Sequence, residues 1–524
     1  MSRIFPLALL ALIFSVGMTG PTFAATSGAT YYIAANGLDS NSGTSESTPW
    51  AHLPGMATWT GSHSPIAGDT FILRGCDVWG NANFPILWTW SGATGNPITI
   101  DRDTTWYNTA SCSSWNRAVF NAGGTVMGGT ECPDGSNNYH NFFLNISASN
   151  TYWAWIEAKG LYWAGTCSDG GLITIQSGQN HTFDHFYMHG WSADHSTAID
   201  IQGFVTYLGG SGACGSLSVT NCTWQYGVFD NSDGDGNSGG GTMSFNSMYS
   251  IYKAMTNAIK PYSNGEIGGN LITGITYSFD GVTHENCIET IQAQGNNTYY
   301  IHDNLITGNT ECEGLQVGNG GEIDYVWNNI WNSAGGGNNG PQVPQASPSG
   351  SMYFWNNTVA GGWPYCIKNA GHGSAFTGTF WASNNHCINS NSAITDGTFT
   401  AGTLTVSNNV GMTPATATTQ GYTSIETYMF SPLSTCTTGS CSTLGAGTDL
   451  TSHWPSGTSP SGGTFTTNDT NYSCQEQTLD GVLQAVCPTR PSTNLRSSNW
   501  DAGAFQWGIS SLPIAPTGLS AVVQ

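Results

Sequence analysis

The chain has 524 residues and a formal charge of −22, with only 10 Lys plus Arg, 69 Gly and 8% charged residues. So few basic residues argue against nucleic acid as a partner, because phosphate binding needs clustered cations. A 12% aromatic content with 20 Trp argues against a disordered chain, and the wealth of Gly, Asn, Thr and Ser favours strands and turns over helices.

In chain order, Arg3 and the apolar run from Ile4 to Val16, followed by Thr22-Phe23-Ala24-Ala25, read as a secretory signal over residues 1–25. The expectation is cleavage near Ala24 or Ala25 and a secreted protein, extracellular or periplasmic. No later segment is long and apolar enough to span a bilayer. All 14 Cys follow the signal, so disulfides are expected, with Cys112–Cys132, Cys436–Cys441 and Cys474–Cys487 as local pairs. No CxxC pair suggests a structural zinc site.

The middle of the chain repeats. Ile301-His302-Asp303-Asn304-Leu305 recurs as Val326-Trp327-Asn328-Asn329-Ile330, then as Phe354-Trp355-Asn356-Asn357, Ala382-Ser383-Asn384-Asn385 and Val406-Ser407-Asn408-Asn409-Val410. Looser copies place Asn270, Ser247, Asn221 and His185 at the same step. The Asn positions from 270 are 34, 25, 28, 28 and 24 residues apart. A period near 25 residues without helical spacing predicts one coil of a parallel β-helix per repeat, about ten or more coils in all. Asn suits a left-handed turn, and its amide can bond the next Asn in the stack.

A second short strand recurs between these turns, as Ala258-Ile259-Lys260, Cys287-Ile288-Glu289, Gly314-Leu315-Gln316, Cys366-Ile367-Lys368 and Ala393-Ile394-Thr395. The aliphatic residue points inward and the next one outward. Asp200, Lys260, Glu289, Gln316, Lys368 and Thr395 are then expected along one outer face, with Phe229 and Asp230 in the coil between Asp200 and Lys260.

The richest chemistry precedes and includes Glu289. Asp280, His284, Glu285 and Glu289 put three carboxyl groups and a histidine within ten residues. Glycoside hydrolysis needs one carboxyl as acid and another as nucleophile or base, and Glu289 with Glu285 or Asp280 is the first pair to test. Lys260, one coil away, offers an alternative as the base of a β-elimination, with Ca²⁺ neutralising a uronate. The plain alternative for Lys260 and Glu289 is a surface salt bridge. Asp233, Asp235 and Asn237 lie in an Asp-rich loop that would hold Ca²⁺ through oxygen ligands, although no Glu closes the loop. No other cofactor is required. Trp327 and Trp355 occupy the polar slot of their repeats, so they are expected to be exposed and to stack on sugar rings, with Asp200, Asp230 and Gln316 as further substrate contacts.

The ends of the chain carry a family likeness. Tyr31-Tyr32-Ile33-Ala34-Ala35-Asn36-Gly37-Leu38-Asp39, Thr48-Pro49-Trp50 and Ala67-Gly68-Asp69-Thr70-Phe71-Ile72-Leu73-Arg74-Gly75 resemble the opening of secreted right-handed β-helix proteins of the pectate-lyase-like class. Gly445-Ala446-Gly447-Thr448-Asp449-Leu450 and Trp500-Asp501-Ala502-Gly503-Ala504-Phe505 resemble its closing segments. The resemblance implies an all-β, right-handed parallel β-helix over residues 29–508, with 509–524 as a Pro- and Gly-containing tail. That class includes hydrolases, lyases and non-catalytic adhesins, so fold does not fix activity. The expectation is a monomeric secreted carbohydrate-active enzyme, a glycoside hydrolase before a polysaccharide lyase, with a non-catalytic glycan-binding protein as the alternative. The acidic balance favours a neutral polysaccharide over an acidic one.

Overall fold

The computed structural model describes residues 28–128, 140–164, 170–189, 192–194, 222–225, 227–230, 241–244, 247–249, 257–259, 264–273, 286–290, 297–307, 313–316, 321–333, 342–343, 350–361, 365–369, 378–395, 402–422, 439–455, 461–463, 475–479, 482–486, 493–496 and 500–504. Nearly all regular structure is β. Successive strands alternate between two long parallel sheets, each of thirteen strands among the described residues. The first wall runs from Thr30–Ile33 to Thr403–Ser407, and the second from Val78–Gly80 to Val410–Met412. Short three-stranded parallel sheets, such as Asn257–Ile259 with Asn286–Glu289 and Glu313–Gln316, lie in sequence between a second-wall strand and the next first-wall strand. This is the parallel, stacked winding that the period of the repeat predicts.

Strand alternation builds the core. On the first wall Ile301, Val326, Phe354 and Ala382 are partners in register, and each is fully buried. The next residue of each strand, His302, Trp327, Trp355 and Ser383, faces the opposite way. Each strand then turns through a left-handed residue: Asp303, Asn328, Asn356, Asn384 and Asn408 have φ of 53°, 55°, 54°, 60° and 54°. Asn pays little for that conformation, which costs most L residues about 1–2 kcal/mol.

The Asn that follows each turn forms the predicted ladder. Asn304 Nδ2 donates to Asn329 Oδ1 at 2.9 Å, Asn329 Nδ2 to Asn357 Oδ1 at 2.9 Å, and Asn385 Nδ2 to Asn409 Oδ1 at 2.8 Å. Asn270 joins at the upper end, donating to Asn304 Oδ1 at 2.9 Å. Two of the other looser copies do not belong to this step. Ser247 pairs with Leu271, one residue beyond Asn270. His185 is the left-handed turn residue, one before the ladder position. Asn221 lies outside the described residues.

The second predicted ladder holds where its aliphatic residues stack: Ile259 pairs Ile288, and Ile288 pairs Leu315, all buried. It slips at the end, where Thr395 rather than Ile394 pairs Ile367. The exposure expected of Glu289 needs correction: it is only 5% exposed, although alternation with the fully buried Ile288 turns it outward.

Trp327 and Trp355 do face out from the wall, yet they are 3% and 1% exposed. Leu450, Trp454 and Trp500, from the closing segments of the chain, pack over them. That covering strap is bonded to the turns it crosses. Arg496 Nη2 donates to Asn328 Oδ1 at 2.8 Å and to the Gly503 carbonyl at 3.0 Å, and Asn356 Nδ2 donates to the Asp501 carbonyl at 2.9 Å.

Disulfides join Cys76 to Cys112 and Cys366 to Cys387. Cys112 therefore does not pair with Cys132. Cys441 is disulfide-bonded, while Cys436, Cys474 and Cys487 lie outside the described residues. No helix among the described residues is long and apolar enough to cross a membrane. The signal segment and the tail also lie outside them.

Candidate functional site

Most of the residues singled out in the sequence lie outside the described residues: Asp200, Asp233, Asp235, Asn237, Lys260, Asp280, His284 and Glu285. Asp230 ends a second-wall strand in which Phe229 pairs Met188, so it follows at the level of His189. Gln316 pairs Glu289 in register. Among the described residues no group of three or more His, Cys, Asp or Glu is arranged to hold a metal ion.

The first wall instead assembles a cluster that the sequence reading missed. Its strands Ile98–Tyr107, Thr151–Ala154 and His181–Asp184 are neighbours. Ile100, Trp153 and Phe183 align in the core, so the residues after them, Asp101, Ala154 and Asp184, stand on the outer side. Tyr152 also faces out, and its hydroxyl donates to Asp184 Oδ2. His185 Nδ1 bonds the other oxygen, Asp184 Oδ1.

The two left-handed turn positions of these strands are held by Trp155 and His185, at φ 59° and 54°. Bulky residues seldom adopt that conformation, and where they do the surrounding contacts enforce it, often at functional sites. Here the rings stack face to face with centroids 3.9 Å apart. The Arg102 guanidinium lies 3.2 Å from the Trp155 ring centroid and 5.0 Å from that of Trp115. Arg117 is buried behind, with Nε donating to the His185 carbonyl at 3.0 Å. On the second wall Glu157 takes Lys159 Nζ at 2.6 Å and His189 Nε2 at 2.9 Å. Arg102 differs from its basic neighbours: among the described residues its guanidinium has no hydrogen-bond or ion-pair partner.

Electrostatics separates the two carboxyl groups. Burial pushes Asp101 above the usual carboxylate range, against the opposing pull of the Arg102 amide and charge. Burial acts on Asp184 in the same sense, but hydrogen bonds from His185 and Tyr152 more than offset it and hold that carboxyl low. Burial also lowers Arg102, with Asp101 and Asp184 working the other way, and brings Arg117 down to about 10. One face therefore presents a protonatable acid, a fixed anion orienting an imidazole, and a cation stacked on tryptophan with no hydrogen-bond or ion-pair partner among the described residues.

A second Asp–His pair occurs farther along the same wall. Burial opposes charge on His302, but hydrogen bonds from its ring to Asp303 at 2.8 Å and Glu266 at 3.1 Å lift it to about 9. It is buried and stacked on Trp327 at 4.4 Å. A ring held charged in this way cannot accept a proton near neutral pH, so it reads as a structural cation. The sequence did carry a signal for the other site: at the turn step where later repeats place Asp or Asn, the early ones place Trp155 and His185.

No protein-family model matches the chain, and no curated protein matches it either. Solved structures do. A rhamnogalacturonan lyase matches at 15% identity over 73% of this chain and 87% of its own, with a TM-score of 0.44. The pectate lyase Pel9A matches at 14% identity over 92% and 97%, with a TM-score of 0.37. A lacto-N-biosidase from Eubacterium ramulus matches at 10% identity over 67% of each chain, with a TM-score of 0.29.

Proposed function

We propose that the chain is a carbohydrate-active enzyme that cleaves an acidic polysaccharide by β-elimination at the Asp101–Arg102–Tyr152–Asp184–His185 cluster. One observation carries this reading: Arg102 lies over the Trp155 ring, with no hydrogen-bond or ion-pair partner for its guanidinium among the described residues, beside a histidine oriented by Asp184. In the proposed reaction Arg102 binds the uronate carboxylate and so acidifies the adjacent carbon. His185 takes the proton from that carbon, the electron pair forms the C=C bond, and the bond to the glycosidic oxygen breaks. Asp101, whose carboxyl burial pushes above the usual carboxylate range, is the group placed to donate a proton to the departing oxygen.

An acidic substrate reverses the preference drawn from net charge. Local placement outweighs the total, because remote charges are screened beyond about 8 Å at physiological ionic strength. Arg74, Arg102, Arg117 and Lys159 are four of the chain's 10 Lys plus Arg, and all fall within its first third.

Glycoside hydrolysis keeps one specific support. Asp101 and Asp184 stand two strand spacings apart, about 9–10 Å, with only Ala154 between. That is near the upper limit for an inverting pair. The Glu289-centred hydrolytic site has less support, since Glu289 is buried. Elimination through Lys260 with Ca²⁺ at Asp233, Asp235 and Asn237 remains a proposal from sequence alone. So do secretion and a monomeric state. We also read the winding as right-handed, the sense taken by about 98% of parallel crossover connections.

The test is digestion of uronate and neutral polysaccharides, followed by ultraviolet absorbance of unsaturated uronate and by reducing-sugar release. Elimination predicts both signals together, and Arg102→Ala should lower kcat/KM at least ~10³-fold, or about 4 kcal/mol, without loss of folding. Reducing ends without the unsaturated product would move the assignment to hydrolysis. Binding without any product would make the protein a non-catalytic glycan binder.

A further inference from the structure

The covering of Trp327 and Trp355 leaves a different aromatic row on the same face. Tyr300, Tyr325 and Tyr353 stand two residues before His302, Trp327 and Trp355 and are partners in register across three adjacent first-wall strands. They point outward and are half-buried. Tyr300 and Tyr325 stack with centroids 5.7 Å apart at 10°, and Tyr325 and Tyr353 at 4.9 Å and 13°. Trp381 continues the row, 6.5 Å from Tyr353 and turned by 62°.

Because the phenol rings stack on one another, they offer edges and hydroxyls rather than faces. None of the three hydroxyls has a hydrogen-bond partner among the described residues. The Trp layer and the strap behind them hold the rings in place. The result is a straight row of three phenolic groups spaced one strand apart, about 4.8 Å, close to the length of one pyranose unit in an extended chain. The column they belong to runs back along the wall through Glu266, Thr242, Thr223 and Thr182 to Tyr152. Five strand spacings, about 24 Å, separate Tyr300 from Tyr152.

We infer that Tyr300, Tyr325 and Tyr353 form a distal binding track for the polysaccharide, hydrogen-bonding successive sugar units of a chain that lies along the coil axis and enters the Arg102 site. The inference rests on the proposed elimination site for its direction. It makes the protein selective for long chains. A polymer that reaches from Arg102 to Tyr353 engages both regions, whereas a short oligosaccharide engages the Arg102 region alone. Linking two modest contacts in this way raises affinity without any new contact at the cleavage point.

The experiment uses the full chain with Tyr300→Phe, Tyr325→Phe and Tyr353→Phe combined, which removes the hydroxyls and keeps the stacked rings. Binding to long polygalacturonate and alginate is measured in an Arg102→Ala background, where no turnover intrudes, and cleavage of short oligomers in an otherwise unaltered one. The expected result is at least roughly tenfold weaker polymer binding, from three lost hydrogen bonds to sugar, with kcat/KM on short oligomers unchanged. Unchanged polymer binding, an equal loss on short and long chains, or no binding of either polymer by the parent would each overturn the track. If no glycan is eliminated but polymer binding still depends on the three hydroxyls, the track stands and the elimination site falls.

Discussion

The first wall contains the same trio twice, and the two copies have different environments. In its early strands Asp184 ends a strand, His185 takes the left-handed turn, and the histidine stacks on Trp155. In its later strands the order is inverted: His302 ends the strand, Asp303 takes the turn, and the histidine stacks on Trp327. The later copy is enclosed, with His302 5% exposed and Trp327 covered by the strap. The earlier copy is half-open and carries Arg102 on its tryptophan. Backbone preference points the same way. Asp and the four Asn suit the later turns, whereas Trp155 and His185 hold the early ones against preference. The same geometry thus serves as scaffold at one end and as a reactive surface at the other.

The largest effect expected from this contrast is in the scaffold. Asn329 donates to Asn357 Oδ1, to the Ile301 carbonyl and to the Trp327 carbonyl, and its Oδ1 accepts from Asn304 N and Nδ2. Nδ2 has two hydrogens for its three acceptors, so Asn329→Ala breaks the equivalent of about four buried hydrogen bonds. At about 1 kcal/mol each the loss should reach about 4 kcal/mol, read as a lower denaturant midpoint. A loss under about 1 kcal/mol would mean the ladder decorates a coil held by its apolar core alone.

The next effect concerns His302. Its pKa of about 9 in the folded chain exceeds the ordinary value of 6.5. The stabilisation is therefore complete below pH 6.5 and is lost as pH rises through about 9. Across that window it amounts to on the order of 3 kcal/mol. Unfolding measured at pH 6 and pH 9.5 should show the decline, and His302→Gln should flatten it. A parent protein equally stable at both values would break the distinction between a locked histidine and a working one.

Much of the scaffold was legible in the sequence and little of the site. A repeated Asn betrays a turn because one residue type satisfies both a left-handed backbone and an amide stack. Asn304, Asn329, Asn357, Asn385 and Asn409 were therefore readable without coordinates. The alternation of Ile301 with His302 was equally clear. Three things were not. Trp327 and Trp355 face outward as alternation requires, but burial by Trp454 and Trp500 joins segments about a hundred residues or more apart, which no local pattern records. Asp324 alternates inward beside Tyr299, and burial, then Glu322, pushes its carboxyl up; polar groups inside a coil leave no periodic trace. Asp101, Arg102, Tyr152 and Asp184 come from three strands and share no motif, so only the stacking of coils brings them together. The misplacing of His185 by one step hid the remaining clue.

The smallest stability effect, and the sharpest separation of the two copies, is expected from His185→Asn. Asn relieves the left-handed backbone by about 1 kcal/mol. Against that stand the lost bond to Asp184, about 1 kcal/mol, and the lost stack on Trp155, also about 1 kcal/mol. The net change should stay within about 1 kcal/mol. Activity should nevertheless fall at least ~10³-fold, because the proton acceptor is gone. A residue kept for the fold would behave in the opposite way, costing several kcal/mol and leaving the rate intact. If the variant both folds and cleaves like the parent, His185 is neither scaffold nor base, and the proton must be taken by another group on that face.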